Sequence, residues 1–187
     1  IVARFPATAA STKNNAVITI TYEESSVVVP DSDGEKYPSK ITYKMTVDSK
    51  EVMSAECSGT NYSDGSPKKV TQSLKMDDYK WTAKIANDQK TASESYEFKK
   101  GSKTMIKSVA EVSGTLKADE LQDAIDNESP QDAIAKFAVY FQVMNVAVKG
   151  GTSDFKKMAD EGQALDSEKL SDKEYAEKTD FQLIARI

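Results

Sequence analysis

The chain has 187 residues, 39% of them hydrophobic and 29% charged, and a net charge of −5. That length suits one domain with its own core and is short for two. There is no histidine and one cysteine, Cys57, so the commonest general base, the commonest metal ligand and any intrachain disulfide are missing; chymotrypsin-like, papain-like and zinc-hydrolase chemistry are excluded.

Charge is unevenly spread. Residues 1–116 carry 16 Lys/Arg against 15 Asp/Glu, and residues 117–187 carry 9 against 15. The basic doublets Lys68-Lys69, Lys99-Lys100 and Lys156-Lys157 are isolated, whereas a nucleic-acid interface needs a dense basic patch. No apolar run approaches the roughly 18 residues of a membrane helix. Ile1–Phe5 is too short for the apolar region of a signal peptide. The chain opens on Ile rather than Met, so it is expected to be processed or trimmed, with a removed export signal left open.

Residues 1–15, rich in Ala, Ser, Thr and Asn, read as a flexible lead-in, and 16–187 as a single domain. Ile18, Ile20 and Tyr22 alternate with Thr19 and Thr21, the pattern of a half-buried strand. Val27-Val28-Val29 is an apolar run stopped by Pro30, and 31–39 (DSDGEKYPS) is a loop by composition. Ile41, Tyr43, Met45 and Val47 form the clearest strand; Asp48-Ser49-Lys50 turns it into a returning strand with Met53, Ala55 and Cys57 on one face. After a turn-rich 59–67, Val70, Gln72, Leu74 and Met76 alternate, then Tyr79, Trp81, Ala83 and Ile85 beyond a turn at Asp77-Asp78. Next comes a hairpin whose tip is Lys99-Lys100-Gly101-Ser102, with Tyr96 and Phe98 on one arm and Ile106, Ala110, Val112 and Leu116 on the other. Gly101 supplies the positive φ that closes such a turn, and Gly114 is a plausible bulge in the long second arm.

The pattern then changes. Leu121, Ala124 and Ile125 sit at helical spacing within 118–127. Ser129-Pro130-Gln131-Asp132 has the cap, proline and acid of a helix start, which predicts a helix to about Phe141 with Ile134, Phe137 and Ala138 inward. A strand follows after Asn145 and ends at Gly150-Gly151. Ser153 is expected to cap a short helix holding Phe155, Met158 and Ala159, closed by Gly162. Ser171-Asp172-Lys173-Glu174 repeats the capping pattern before Tyr175. Phe181, Leu183, Ala185 and Ile187 alternate as a terminal strand. The predicted fold class is α+β: a meandering, curved antiparallel sheet of seven to nine strands, with C-terminal helices covering one face.

The segment ESYEFKKGSKTMIKSVAEVSGTL, then DELQDAI, then an expected small-residue helix leading into NVAVKG, resembles uncharacterised secreted lipoproteins of Bacteroidetes over roughly residues 41–187. The similarity is one of organisation and carries no catalytic signature. It implies export and a lipid-modified cysteine upstream of Ile1, outside this sequence, and no activity.

Candidate sites are few. Asp31, Asp33 and Glu35 around Gly34 have the flavour of a calcium loop, but Gly34 comes too early for an EF-hand, and a solvated acidic turn is the plainer reading. Asn61-Tyr62-Ser63 matches a glycosylation sequon, a short pattern that arises often. Glu94 and Glu97, or Asp77 and Asp78, are poor carboxylate pairs because near neighbours on a strand point to different faces. Tyr43, Tyr79, Trp81 and Tyr96 offer rings for sugar stacking, but core packing fits their aliphatic neighbours better. Cys57 has no histidine to activate it and reads as a small hydrophobe.

No cofactor is expected. The sequence leaves two function classes: a non-catalytic envelope or secreted protein binding an unknown ligand or envelope partner, and a carrier of an apolar ligand between curved sheet and helices. No nucleic acid is expected as partner, and a membrane only through the implied lipid anchor.

Overall fold

Apolar alternation dominates the sequence, and strands dominate the fold. The computed structural model describes residues 1–127, 129–166 and 182–186. Among them are eleven strands, β1 (Val2–Phe5), β2 (Ala16–Val28), β3 (Lys36–Val47), β4 (Lys50–Asn61), β5 (Pro67–Met76), β6 (Tyr79–Asn87), β7 (Thr91–Lys100), β8 (Lys103–Gly114), β9 (Ile134–Val143), β10 (Val146–Thr152) and β11 (Gln182–Arg186). Three short helices, α1 (Ala118–Asp126), α2 (Pro130–Ala133) and α3 (Phe155–Asp166), lie in the C-terminal third. Strand order follows chain order; from β3 to β8 short antiparallel connections account for it, while α1 and α2 lie between β8 and β9, and α3 between β10 and β11. The expectation of one domain over 16–187 meets a chain that divides into two units, Ile1–Ala86 with Ser95–Met105, and Asn87–Glu94 with Ile106–Ile187.

In the first unit the turns set the register. Asp48 and Ser49 both have positive φ, 49° and 66°, the signature of a tight hairpin turn that matches strand twist; the turn pairs Val47 with Lys50, and a register shift at Met45/Thr46 then sets Tyr43 opposite Ala55 across β3 and β4. Asp77, at φ 49°, turns β5 into β6 and puts Leu74 opposite Trp81. Gly101, at φ 56°, begins the β7–β8 turn. The lead-in is not loose throughout: Val2–Phe5 pairs with Ala16–Thr19, and the Ile1 ammonium donates to the Ile20 carbonyl at 2.8 Å. The Val27-Val28 run belongs to β2, which reaches β3 through two register shifts.

The second unit corrects the sequence reading. The helix signal at Ser129-Pro130 yields only the single turn α2, and Ile134–Val143 is β9, paired with β8 on one side and β10 on the other. Phe137, Val139, Phe141 and Val143 satisfy a two-residue period, as Ile134, Phe137, Ala138 and Phe141 satisfy a helical one, and two flanking ladders satisfy the backbone on both edges. The ladder shifts register at Ser113/Gly114; a Cβ on Gly114 would lie 2.0 Å from the Ala133 carbonyl oxygen, so only glycine fits that bulge. Asp154, rather than Ser153, caps α3: its Oδ1 accepts from the Lys157 amide at 2.9 Å. α3 runs through Gly162 to Asp166. The Ser171 capping pattern lies outside the described residues.

Among the described residues, helix packing on the sheet is seen at one end of β9. Phe155 of α3 meets Phe137 edge-on, with centroids 6.5 Å apart, and Leu116 and Ala133 are buried near this end of β8 and β9. Further along β9 and β10, Phe141 is 51% exposed and Val146 50%. Among the described residues the only buried hydrophobic side chains are Ala16, Leu116 and Ala133.

Candidate functional site

Antiparallel register carries each strand's alternation across the first unit. Ile20 aligns with Tyr43, Tyr43 with Ala55, Ala55 with Leu74, and Leu74 with Trp81. A second row runs from Tyr22 through Ile41 and Cys57 to Gln72 and Ala83. Aligned residues share a face, so β2–β6 present one face without a charged side chain in these rows. β7 extends it: Phe98 stacks on Trp81 at 4.8 Å with planes 20° apart, and on Tyr79 at 5.9 Å. Lys100 lies over Tyr79 at the hairpin end, 5.4 Å from the ring centroid.

The charges sit on the other face. Lys40 pairs with Glu56 at 2.9 Å and Lys44 with Glu51 at 3.0 Å. The Glu56 hydrogen bond and charge raise the Lys40 pKa, and the bonds from Lys44 and Ser54 hold the Glu51 carboxyl below its ordinary value. This sorting leaves the first face apolar, aromatic and half exposed: Tyr43 is 41% exposed, and Tyr22, Met76, Tyr79 and Tyr96 are also exposed. Near its middle, Tyr43, Cys57, Leu74, Trp81 and Tyr96 line an open depression of about 330 Å³.

Tyr43, Trp81, Tyr96 and Cys57 are thus brought together at this depression. Tyr43, Tyr79 and Tyr96 are exposed, which corrects the expectation of core packing for them, while Trp81 is half-buried with Phe98 stacked on it. Sequence reasoning placed each alternating strand but missed the joint face, because register between strands is not written in either strand alone.

The remaining candidates scatter. Asp31, Asp33 and Glu35 are exposed, and their loop is held by Ser32, whose hydroxyl donates to the Val29 carbonyl at 2.7 Å. Among the described residues no cluster of Cys, Asp or Glu is placed to hold a metal. Asn61 donates to the Gly65 carbonyl at 2.8 Å inside its turn. Glu97 accepts from Thr104 at 3.1 Å and pairs with Lys99 at 3.0 Å, while Glu94 belongs to the other unit. The Asp78 carbonyl accepts from the Gly101 amide at 2.7 Å.

In the second unit, Tyr140 has Lys107 and Lys149 each 5.9 Å from its ring centroid, and its hydroxyl bonds Gln142 at 2.6 Å. The ring is thereby engaged by its own neighbours. No helix among the described residues is long and apolar enough to cross a membrane. No protein-family model, curated protein or solved structure matches this chain.

Proposed function

We infer that this is a non-catalytic protein that binds a ligand or partner through the apolar face of its first unit. The observation that carries the reading is the half-exposed aromatic surface around Tyr43, Trp81 and Tyr96, kept clear of charge while the ion pairs occupy the opposite face. Contiguous apolar surface of that extent on a sheet is costly to leave in water and marks interaction sites. The reading includes export to the cell envelope and an N-terminal lipid anchor, supported by the resemblance to secreted Bacteroidetes lipoproteins. It also takes the C-terminal helices as cover for one face of the sheet, a view supported by Phe155 against Phe137.

A carrier of an apolar ligand is the second reading, favoured by the depression beside Trp81. The test is an apolar fluorescent dye added to the full chain at about 10 nM. Energy transfer from Trp81 to bound dye, lost in Tyr43→Glu, is expected. Absence of dye binding would overturn both readings of the face, and fractionation finding the native protein in the cytoplasm would overturn export.

A further inference from the structure

We propose that the apolar face of the first unit is a homodimer interface, closed by the same face of a second copy. The proposal rests on the binding reading above and names the partner.

Composition points to protein rather than lipid. Tyr22, Tyr43, Tyr79 and Trp81 share the face with Met45, Met53 and Met76. Tyr, Trp and Met are the residues enriched at the centres of protein interfaces, and charged residues are depleted there. A tyrosine hydroxyl and the Gln72 amide suit a surface that meets side chains and trapped water. An acyl chain prefers an enclosed apolar pocket, and the depression beside Trp81 is open.

Size points to a sheet-sized partner. Six strands, β2–β7, at roughly 4.8 Å spacing make a face about 29 Å wide. Four inward positions per strand give a length of about 22 Å, so the face is roughly 650 Å² per copy. Two such faces bury about 1,300 Å², inside the range of about 1,200–2,000 Å² for specific stable interfaces. Twisted sheets stack face to face about 10 Å apart with strands near −30°, so one sheet is a natural cover for another.

Charge permits self-association. A two-fold interface buries the same patch of both copies, residue i against residue j and j against i, so any charge on the patch is desolvated twice. The rows through Tyr43 and Cys57 carry none, and Lys100 sits at the hairpin end over Tyr79.

The test is sedimentation of the full chain across concentration. A dimer at about 10 µM that dissociates on dilution is expected, with Trp81 emission shifting to shorter wavelength as the dimer forms. Tyr43→Glu, on an exposed and central side chain, should raise the dissociation constant by at least about 30-fold, the scale of an interface hot spot. Thr82→Glu, on the opposite face, should leave it unchanged. Unaltered far-ultraviolet circular dichroism checks that each variant is folded. A wild-type monomer at about 100 µM that still binds the apolar dye would overturn the dimer and leave the binding reading standing. A monomer that binds no dye would overturn both. A dimer indifferent to Tyr43→Glu and weakened by Thr82→Glu would place the interface on the opposite face and overturn the proposal.

Discussion

Trp81 and Phe98 lie face to face, ring centroids 4.8 Å apart and planes 20° from parallel, although 17 positions separate them in the chain. Tyr79 stacks on the same Phe98 ring at 5.9 Å. The trio joins the β7 arm of the long hairpin to β6. Trp81→Ala and Phe98→Ala should each cost about 2 kcal/mol, below the 3–5 kcal/mol of a fully enclosed aromatic, because these rings are half-buried. The double variant should show a coupling of about 0.5–1.5 kcal/mol in urea unfolding. Strict additivity would mean that the stack contributes nothing beyond area.

Gly101 opens the β7–β8 turn at φ 56°, and a Cβ there would meet nothing within 4 Å. The obstacle to a side chain is therefore backbone conformation alone. Gly101→Val should lose about 1–2 kcal/mol, and Gly101→Asn far less, because asparagine tolerates the left-handed region. Lys100→Ala and Lys99→Ala should stay within about 0.5 kcal/mol. Equal losses from Gly101→Val and the two alanine variants in the same melts would contradict this account of the turn.

Gly114 presents the opposite case. There the added Cβ would collide with the Ala133 carbonyl oxygen at 2.0 Å, where β8 bulges beside the chain entering β9. Gly114→Ala should destabilise by about 2–3 kcal/mol through forced backbone movement, while Gly101→Ala should cost less. Chemical denaturation of the pair ranks them, and the reverse order would refute the steric reading.

Asp88 ties the turn between β6 and β7: its carboxylate accepts from the Thr91 amide at 2.6 Å and the Lys90 amide at 3.0 Å. The Thr91 bond, then the Lys90 bond, holds its pKa below the ordinary aspartate value. Because the folded-state pKa is the lower one, the stabilisation is present above the unfolded pKa and fades as pH falls through the folded pKa. Asp88→Asn should therefore destabilise at neutral pH, and its difference from wild type should shrink in acid. A difference that grows below the folded pKa would show that the carboxylate does not act through these bonds.

Much of the sheet was legible in local pattern. Ile41, Tyr43, Met45 and Val47, or Tyr79, Trp81, Ala83 and Ile85, alternate so regularly that only a strand puts them on one side. Asp48-Ser49, Asp77 and Gly101 mark turns by residue chemistry alone, and each takes the positive φ such turns need. The segment 134–143 was not decidable in that way. Its apolar residues fit both periods, and the capping signal at Ser129-Pro130 was satisfied by the one turn of α2. What made β9 a strand was hydrogen bonding to β8 and β10, partners distant in sequence that offer its amides and carbonyls ladders on both edges. The gathering of Tyr43, Cys57, Leu74, Trp81 and Tyr96 around one depression was likewise a tertiary decision. Alternation determines that each strand has an apolar side; inter-strand register determines which side chains meet, and the packing of other elements determines whether that side is covered or left to water.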